Sequence, residues 1–217
     1  MRQFPTYICA AALLSAVLGA CQAESLGQDR GEQTDAIKES LLESLEQYGI
    51  AFMGGNGHEL ATFALPEFIE MVGGVDRVAK AFDSFGSNFE VLEFSSDQDP
   101  DIIFDDGMWV SLVKFDVKAR LPFESAMERI AEKVGVTSLD YIEMPGAMIA
   151  LSRDEGKTWS LTTGNAQGRE IVSMVAPQIL DTFPVQEDVI IANGMTLTLM
   201  DIFQYTSLGR LASKISS

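Results

Sequence analysis

An α+β fold is predicted by three features of the chain. Apolar residues recur at helical spacing from about residue 34 to 86, they alternate at period two through much of the remainder, and hairpin signals punctuate that second part. Helices followed by consecutive antiparallel strands predict N-terminal helices on a curved antiparallel sheet, with the helices packed on one face of it. With 217 residues, 47% of them hydrophobic, the chain can close one packed core, read here as a single domain over 34–217.

Ile37, Leu41, Leu42, Leu45, Tyr48 and Phe52 form the apolar stripe of a first helix, with Thr34 as its expected N-cap and Gly54-Gly55-Asn56-Gly57 as its stop. A short helix fits His58–Leu65. Pro66 suits the first turn of the next, which carries Phe68, Ile69 and Val72 up to Gly73-Gly74. Val75, Val78, Ala79, Phe82 and Phe85 give another amphipathic face. Phe89, Val91 and Phe94 then predict a strand. In a longer one, Trp109, Ser111, Val113, Phe115 and Val117 share a side opposite Val110, Leu112 and Lys114. Residues 124–134 return to helical period, an insertion near 122–140 between strands. Met148–Leu151 and Trp159–Leu161 flank a tight turn, residues 168–176 are helical, and Asn193-Gly194 joins two apolar runs as a hairpin.

The charge balance is 15 Lys+Arg against 32 Asp+Glu, a formal net charge of −17. No basic stripe is available to displace counterions from phosphates, so nucleic acid is excluded as a partner. Electrostatic docking on anionic lipid is excluded for the same reason.

Residues 1–20 contain Arg2 and no acid, and Tyr7–Ala20 is a short apolar run ending at Cys21. This is the layout of a secretory signal. A permanent spanning helix needs about 20 apolar residues, more than this run supplies. Leu18-Gly19-Ala20-Cys21 resembles the bacterial lipobox. The resemblance implies cleavage before Cys21 and a diacylglyceryl group on its thiol, a membrane anchor in the cell envelope. With Gln22 following and no Asp there, the rule for enteric bacteria implies the outer membrane, facing the periplasm. Ordinary cleavage after Ala23 and an uncleaved anchor are the alternatives. Residues 21–33 read as the lipidated Cys and a flexible tether. Cys9 leaves with the leader and Cys21 is acylated, so the domain is expected to have no disulfide, no thiol nucleophile and no thiolate metal site. With one histidine besides, neither metal nor cofactor is expected.

The order of helices, the segment Pro66-Glu67-Phe68-Ile69-Glu70-Met71-Val72-Gly73-Gly74, the long strand from Trp109 and the Ser152–Trp159 hairpin together resemble nuclear transport factor 2-like domains, over roughly residues 34–185. The likeness is to the exported bacterial branch, whose members carry a Ser-x-Asp-x-Gly-x-Thr-Trp hairpin. It implies a cone with a pocket between sheet and helices, and a homodimer through the sheet. The insertion near 122–140 and the Asn193-Gly194 hairpin with its tail depart from that pattern.

Ser152-Arg153-Asp154-Glu155-Gly156-Lys157-Thr158-Trp159 also matches the Asp-box of sialidases and other β-propellers. A propeller needs many repeats and this chain has one, so the motif is read as a hairpin staple. Its Ser and Asp would bond the turn, Gly would supply the permissive φ, and Trp would pack beneath. Asp97-Gln98-Asp99-Pro100-Asp101 with Asp105-Asp106 has acids at calcium-loop spacing, but Ile102 and Met108 stand where an EF-hand needs Gly and Glu. A solvated acidic loop is the reading, with an irregular calcium site as its alternative. His58 is placed at the surface. Phe63, Phe68, Phe82, Phe85, Phe94 and Phe115 are read as core, or as the lining of a ligand cone.

The expected role is noncatalytic binding of a small apolar ligand or a protein partner by a lipid-anchored domain. One alternative is an isomerase- or dehydratase-like enzyme using a buried pocket carboxylate, for which Glu70, Asp83, Glu90 and Glu93 are the candidates. The other is an acidic immunity-type inhibitor, which would need a continuous acidic face to steer a basic toxin.

Overall fold

The structure is a computed structural model that describes residues 33–122 and 124–198. Helix α1 runs over 33–53 and buries Ile37, Leu41 and Leu45. Thr34 lies inside this helix and is not its cap, because Gln33 is already helical. Helix α2 (Gly57–Thr62) is shorter than expected and is capped by Asn56, whose side chain accepts from the Glu59 N–H at 3.2 Å. Pro66 opens α3 (Pro66–Val72), and Gly73 closes it in the left-handed region at φ 95°. Helix α4 (Val75–Gly86) buries Val78 and Ala79. It lies so close to α2 that a Cβ on Gly57 would stand 2.3 Å from the Ala79 carbonyl oxygen.

The strands are β1 (Glu90–Ser96), β2 (Ile102–Asp105), β3 (Met108–Arg120), β4 (Ile142–Ser152), β5 (Ser160–Thr163), β6 (Val189–Ala192) and β7 (Met195–Thr198). Helix α5 (Glu124–Lys133) joins β3 to β4, while α6 (Ala166–Ser173) and a 3₁₀ turn (Pro177–Asp181) join β5 to β6. All pairings are antiparallel, in an open, curved sheet of order β1-β3-β4-β6-β7, with β2 also on β3 and β5 also on β4. Strands β3 and β4 form its spine, pairing from Trp109↔Ser152 to Ala119↔Ile142. Asn193-Gly194 turns β6 into β7 with both φ positive, as its sequence predicts.

Two expectations are corrected. The acidic stretch is not one loop: Ile102–Asp105 is a strand, returned into β3 by Asp106 (φ 47°) and Gly107 (φ 80°). The helices also do not share one face. Val113, Met148 and Ala150 meet α1, whereas Val110, Ile149 and Leu151 on the opposite face meet Val172, Ala176 and Ile179 of the α6–3₁₀ segment. The reason lies in β3 and β4, which are apolar on both faces here and therefore need cover on both.

Candidate functional site

A cone-shaped domain would leave an opening between α1 and the sheet. Here α1 packs directly on Val113, Met148 and Ala150, and α5 covers the neighbouring part of the sheet. Its Ala126, Met127 and Ile130 pack against Phe89, Val117, Ala119, Ile142 and Ile190 in one cluster of buried side chains. Beside it, rings close the gap between α1 and the sheet. Tyr48 stacks on Phe52 at 6.0 Å and meets Phe63 edge-on at 5.7 Å, and Phe94 stacks on Phe115 at 5.9 Å. Two glycines admit this packing, since a Cβ on Gly49 would lie 2.5 Å from the Phe94 ring and one on Gly146 2.5 Å from Phe115. Burial in this cluster pushes the Tyr48 phenol up to about 12. Of the aromatic candidates, Phe63, Phe94 and Phe115 are thus half-buried and packed against the core. Phe68 packs with Leu65 and Val110 on the other side, and the Phe85 side chain lies outside the described residues.

The four candidate carboxylates do not converge, and all are exposed. Asp83 accepts from the Gly57 N–H at 3.0 Å. Glu93 pairs with Lys118 at 2.7 Å, a hydrogen bond that raises the lysine's pKa. Glu70 lies on the outside of α3. His58 is exposed at the start of α2.

Glu90 has a different setting. It borders a cleft of about 160 Å³ lined by Phe52, Met53, Leu60, Phe82, Phe89 and Val91, with Gly54, Gly55 and Gly86 closing it. The lining comes from the end of α1, the start of α2, the end of α4 and the start of β1, four elements that meet where two helices stop. The sequence reading missed Phe52, Phe89 and Glu90 as one group. Its available signals were the glycines that end α1 and α4.

The Ser152–Trp159 turn is the staple its sequence predicts. Asp154 Oδ1 accepts from Ser152 Oγ and from the Thr158 N–H, both at 2.9 Å, and Oδ2 accepts from Thr158 Oγ1 at 2.8 Å. Ser152 Oγ in turn accepts from the Gly156 N–H at 3.0 Å. The backbone hydrogen bond from Thr158 holds the Asp154 carboxyl below its ordinary value against a smaller opposing effect of burial. Gly156, at φ 82°, touches α1: a Cβ there would meet Ile37 at 2.8 Å. Trp159 is buried beneath, its Nε1 without a hydrogen-bond partner. Arg153 ties the turn to α3 through Glu67. Partial burial would raise the Glu67 carboxyl, but its hydrogen bonds and the Arg153 charge outweigh that and lower it.

In the acidic stretch, Lys38 of α1 pairs with Asp99, the Asp99 N–H donates to Asp97 Oδ1 at 3.0 Å, and Gln178 donates to Asp106 at 3.2 Å. Among the described residues no three His, Cys, Asp or Glu side chains are grouped to hold a metal ion. On α1, Asp35, Glu39, Glu43 and Glu46 are exposed along the side away from the sheet. Between residues 33 and 113 the bases are Lys38, Arg77 and Lys80, and the rest of the described chain holds Lys114, Lys118, Arg120, Arg129, Lys133, Arg153, Lys157 and Arg169. The acidic excess is thus spread over helices and strands, and the exposed side of α1 carries four acids in a row.

No family model matches the chain, and no curated protein matches it. The leader, Cys21 and the tether up to residue 32 lie outside the described residues. No helix among the described residues is long and apolar enough to cross a membrane.

Proposed function

We propose that this chain is a lipoprotein of the bacterial cell envelope, anchored through Cys21 in the outer membrane facing the periplasm, whose nuclear transport factor 2-like domain binds a protein partner without catalysis. The observation that carries the choice of partner is the close packing of α1 and α5 on the sheet. A small apolar ligand under either helix would have to displace Leu41 and Leu45, Met127 and Ile130, or the Phe94–Phe115 stack, which are already packed. A surface partner displaces nothing. The exposed acids of α1 favour a basic partner, whose approach they would accelerate. That stripe also supports the second reading, an acidic inhibitor of a basic toxin. The exposure of Glu70, Asp83, Glu90 and Glu93 leaves them without the desolvation that a carboxylate base needs. A sheet-to-sheet homodimer has part of its face covered by α6 and the 3₁₀ turn, which leaves the charged stretch around Lys114, Asp116 and Lys118.

Photo-crosslinking in the native host tests the partner. A crosslinker at position 43 on α1 should capture one basic protein, with a yield that falls as salt rises, and one at position 114 on the sheet should not. Equal capture from both positions overturns the surface assignment, as does no capture together with a small-molecule adduct in native mass spectrometry. The anchor is tested separately. Cys21→Ala should abolish labelling by radioactive fatty acid and release the protein from membranes, and unchanged membrane retention refutes it.

A further inference from the structure

Strand β2 is an edge strand, with β3 as its one partner among the described residues. The two-residue turn Asp106-Gly107 makes Asp105 and Met108 a hydrogen-bonded pair. Alternation from there points the N–H and C=O groups of Ile102 and Phe104 away from β3, and nothing among the described residues pairs with them. Phe104 is 60% exposed, its ring 4.9 Å from that of Trp109 on the face where α1 lies. Asp105 is half-buried on the opposite face, and Asp101 is exposed just before the strand. Neither carboxylate has a hydrogen-bond or ion-pair partner among the described residues. Nearby bases are engaged elsewhere: Lys38 pairs with Asp99, and across β3 Arg153 pairs with Glu67 and Lys157 with Glu155. Lys114 stands beside Asp97, about 20 Å along β3 from the register partner of Asp105.

We infer that the free edge of β2 takes up an extended segment of a partner protein as an added strand, with an apolar residue beside Phe104 and Lys or Arg at the alternating positions that fall beside Asp105 and Asp101. In such an addition the main-chain hydrogen bonds hold the segment and the alternate side chains select it. The inference rests on the reading of the partner as a basic protein and names the contact that holds it. The Lys38–Asp99 pair joins α1 to the stretch just before β2, so a partner drawn to the acids of α1 has this edge within reach. A second copy of the chain fits poorly. Antiparallel pairing of two β2 strands centred on Ile103 would set Asp101 against Asp105 twice, and like charges directly opposite are destabilising. Acids at an edge guard against self-pairing, but they attract a basic strand.

The test is amide hydrogen exchange of the full chain, labelled with ¹⁵N, in the presence of the end-blocked peptide Lys-Val-Lys-Val-Lys-Val-Lys. At about five times its Kd the peptide should slow exchange at Ile102 and Phe104 by about 6-fold, while Thr196 on β7, at the other end of the sheet, stays unchanged. The same peptide N-methylated throughout keeps every charge and loses its strand donors. Glu-Val-Glu-Val-Glu-Val-Glu keeps the donors and reverses the charge. Neither should slow exchange at Ile102 or Phe104. Phe104→Pro, a residue that an edge strand tolerates where the N–H faces outward, should weaken the basic peptide by at least about 5-fold, the effect of one lost hydrogen bond. Exchange at Ile102 and Phe104 unmoved by the basic peptide overturns the inference. Equal binding of the N-methylated peptide also overturns it, since the contact would then be one of charge alone. The crosslink at position 43 decides the partner reading separately: capture there together with an unprotected edge overturns the inference about β2 and leaves that reading standing.

Discussion

Replacing Asp154 tests whether the Ser152–Trp159 turn is held by its side chains. In Asp154→Ala three hydrogen bonds to one carboxylate disappear, from Ser152 Oγ and from the Thr158 N–H and hydroxyl. The consequences differ by site. Thr158 is exposed, so water replaces its lost acceptor at little cost. Ser152 is 1% exposed, and its hydroxyl is left without that acceptor in the interior. Bonds to a charged group contribute about 1.5–3 kcal/mol each when shielded and far less when wet, so about 2 kcal/mol is expected for the set. For a chain of this size that lowers the melting temperature by about 4–8 °C. Asp154→Asn keeps one acceptor oxygen and loses the charge, so about 1 kcal/mol is expected.

The pH dependence fixes the sign. The folded carboxyl lies below the unfolded value of about 3.9, so the ionised form is preferred in the native state. Its stabilisation is fully present above that value and is lost as pH falls through the folded one. Urea unfolding followed by Trp109 and Trp159 fluorescence should therefore show a constant gap between wild type and Asp154→Asn from pH 8 to 5, closing below about pH 4. A gap unchanged at pH 3, or Asp154→Ala within 0.5 kcal/mol of wild type, would refute the staple.

Ile130→Ala, at a fully buried position on α5, should cost about 2–5 kcal/mol in urea unfolding, and a loss under about 1 kcal/mol would mean that α5 is not packed on the sheet. Absorbance titration at 295 nm should show one of the four tyrosines ionising near pH 12, and Tyr48→Phe should remove that step. Because the folded phenol lies above its unfolded value, the associated stability is intact below about pH 10 and is lost as pH rises from there towards 12, a loss that Tyr48→Phe should lessen. Lys38→Ala breaks an ion pair whose Asp99 side chain is 87% exposed, so thermal melts should move by no more than about 1 kcal/mol equivalent, with any difference vanishing in salt.

Much of the fold was readable because its decisive chemistry is local. Pro66 and Gly73 bracket α3, Asn193-Gly194 turns β6 into β7, and the acid of the Ser152–Trp159 turn finds every partner within four residues. Strand β2 is equally local, with Asp106-Gly107 as its hairpin signal, but the acids on either side give the stretch the composition of a loop. The second sheet face was less accessible. Val110 and Leu112 alternate with Ser111 and Val113, and such a run says that both sides need cover without saying by what. That Ile179, almost seventy residues away, covers Val110 is a tertiary fact.

The same distinction explains why motif reading found the staple and not the cleft. A catalytic motif announces itself when one short segment supplies several of the reacting groups. The cleft draws Phe52 from α1, Leu60 from α2, Phe82 from α4 and Glu90 from β1, and each reads individually as a core or surface residue. Gly54-Gly55 and Gly86 mark two helix stops in the sequence, but which side chains meet there is decided by packing, with α2 and α4 brought together at the close contact that Gly57 permits.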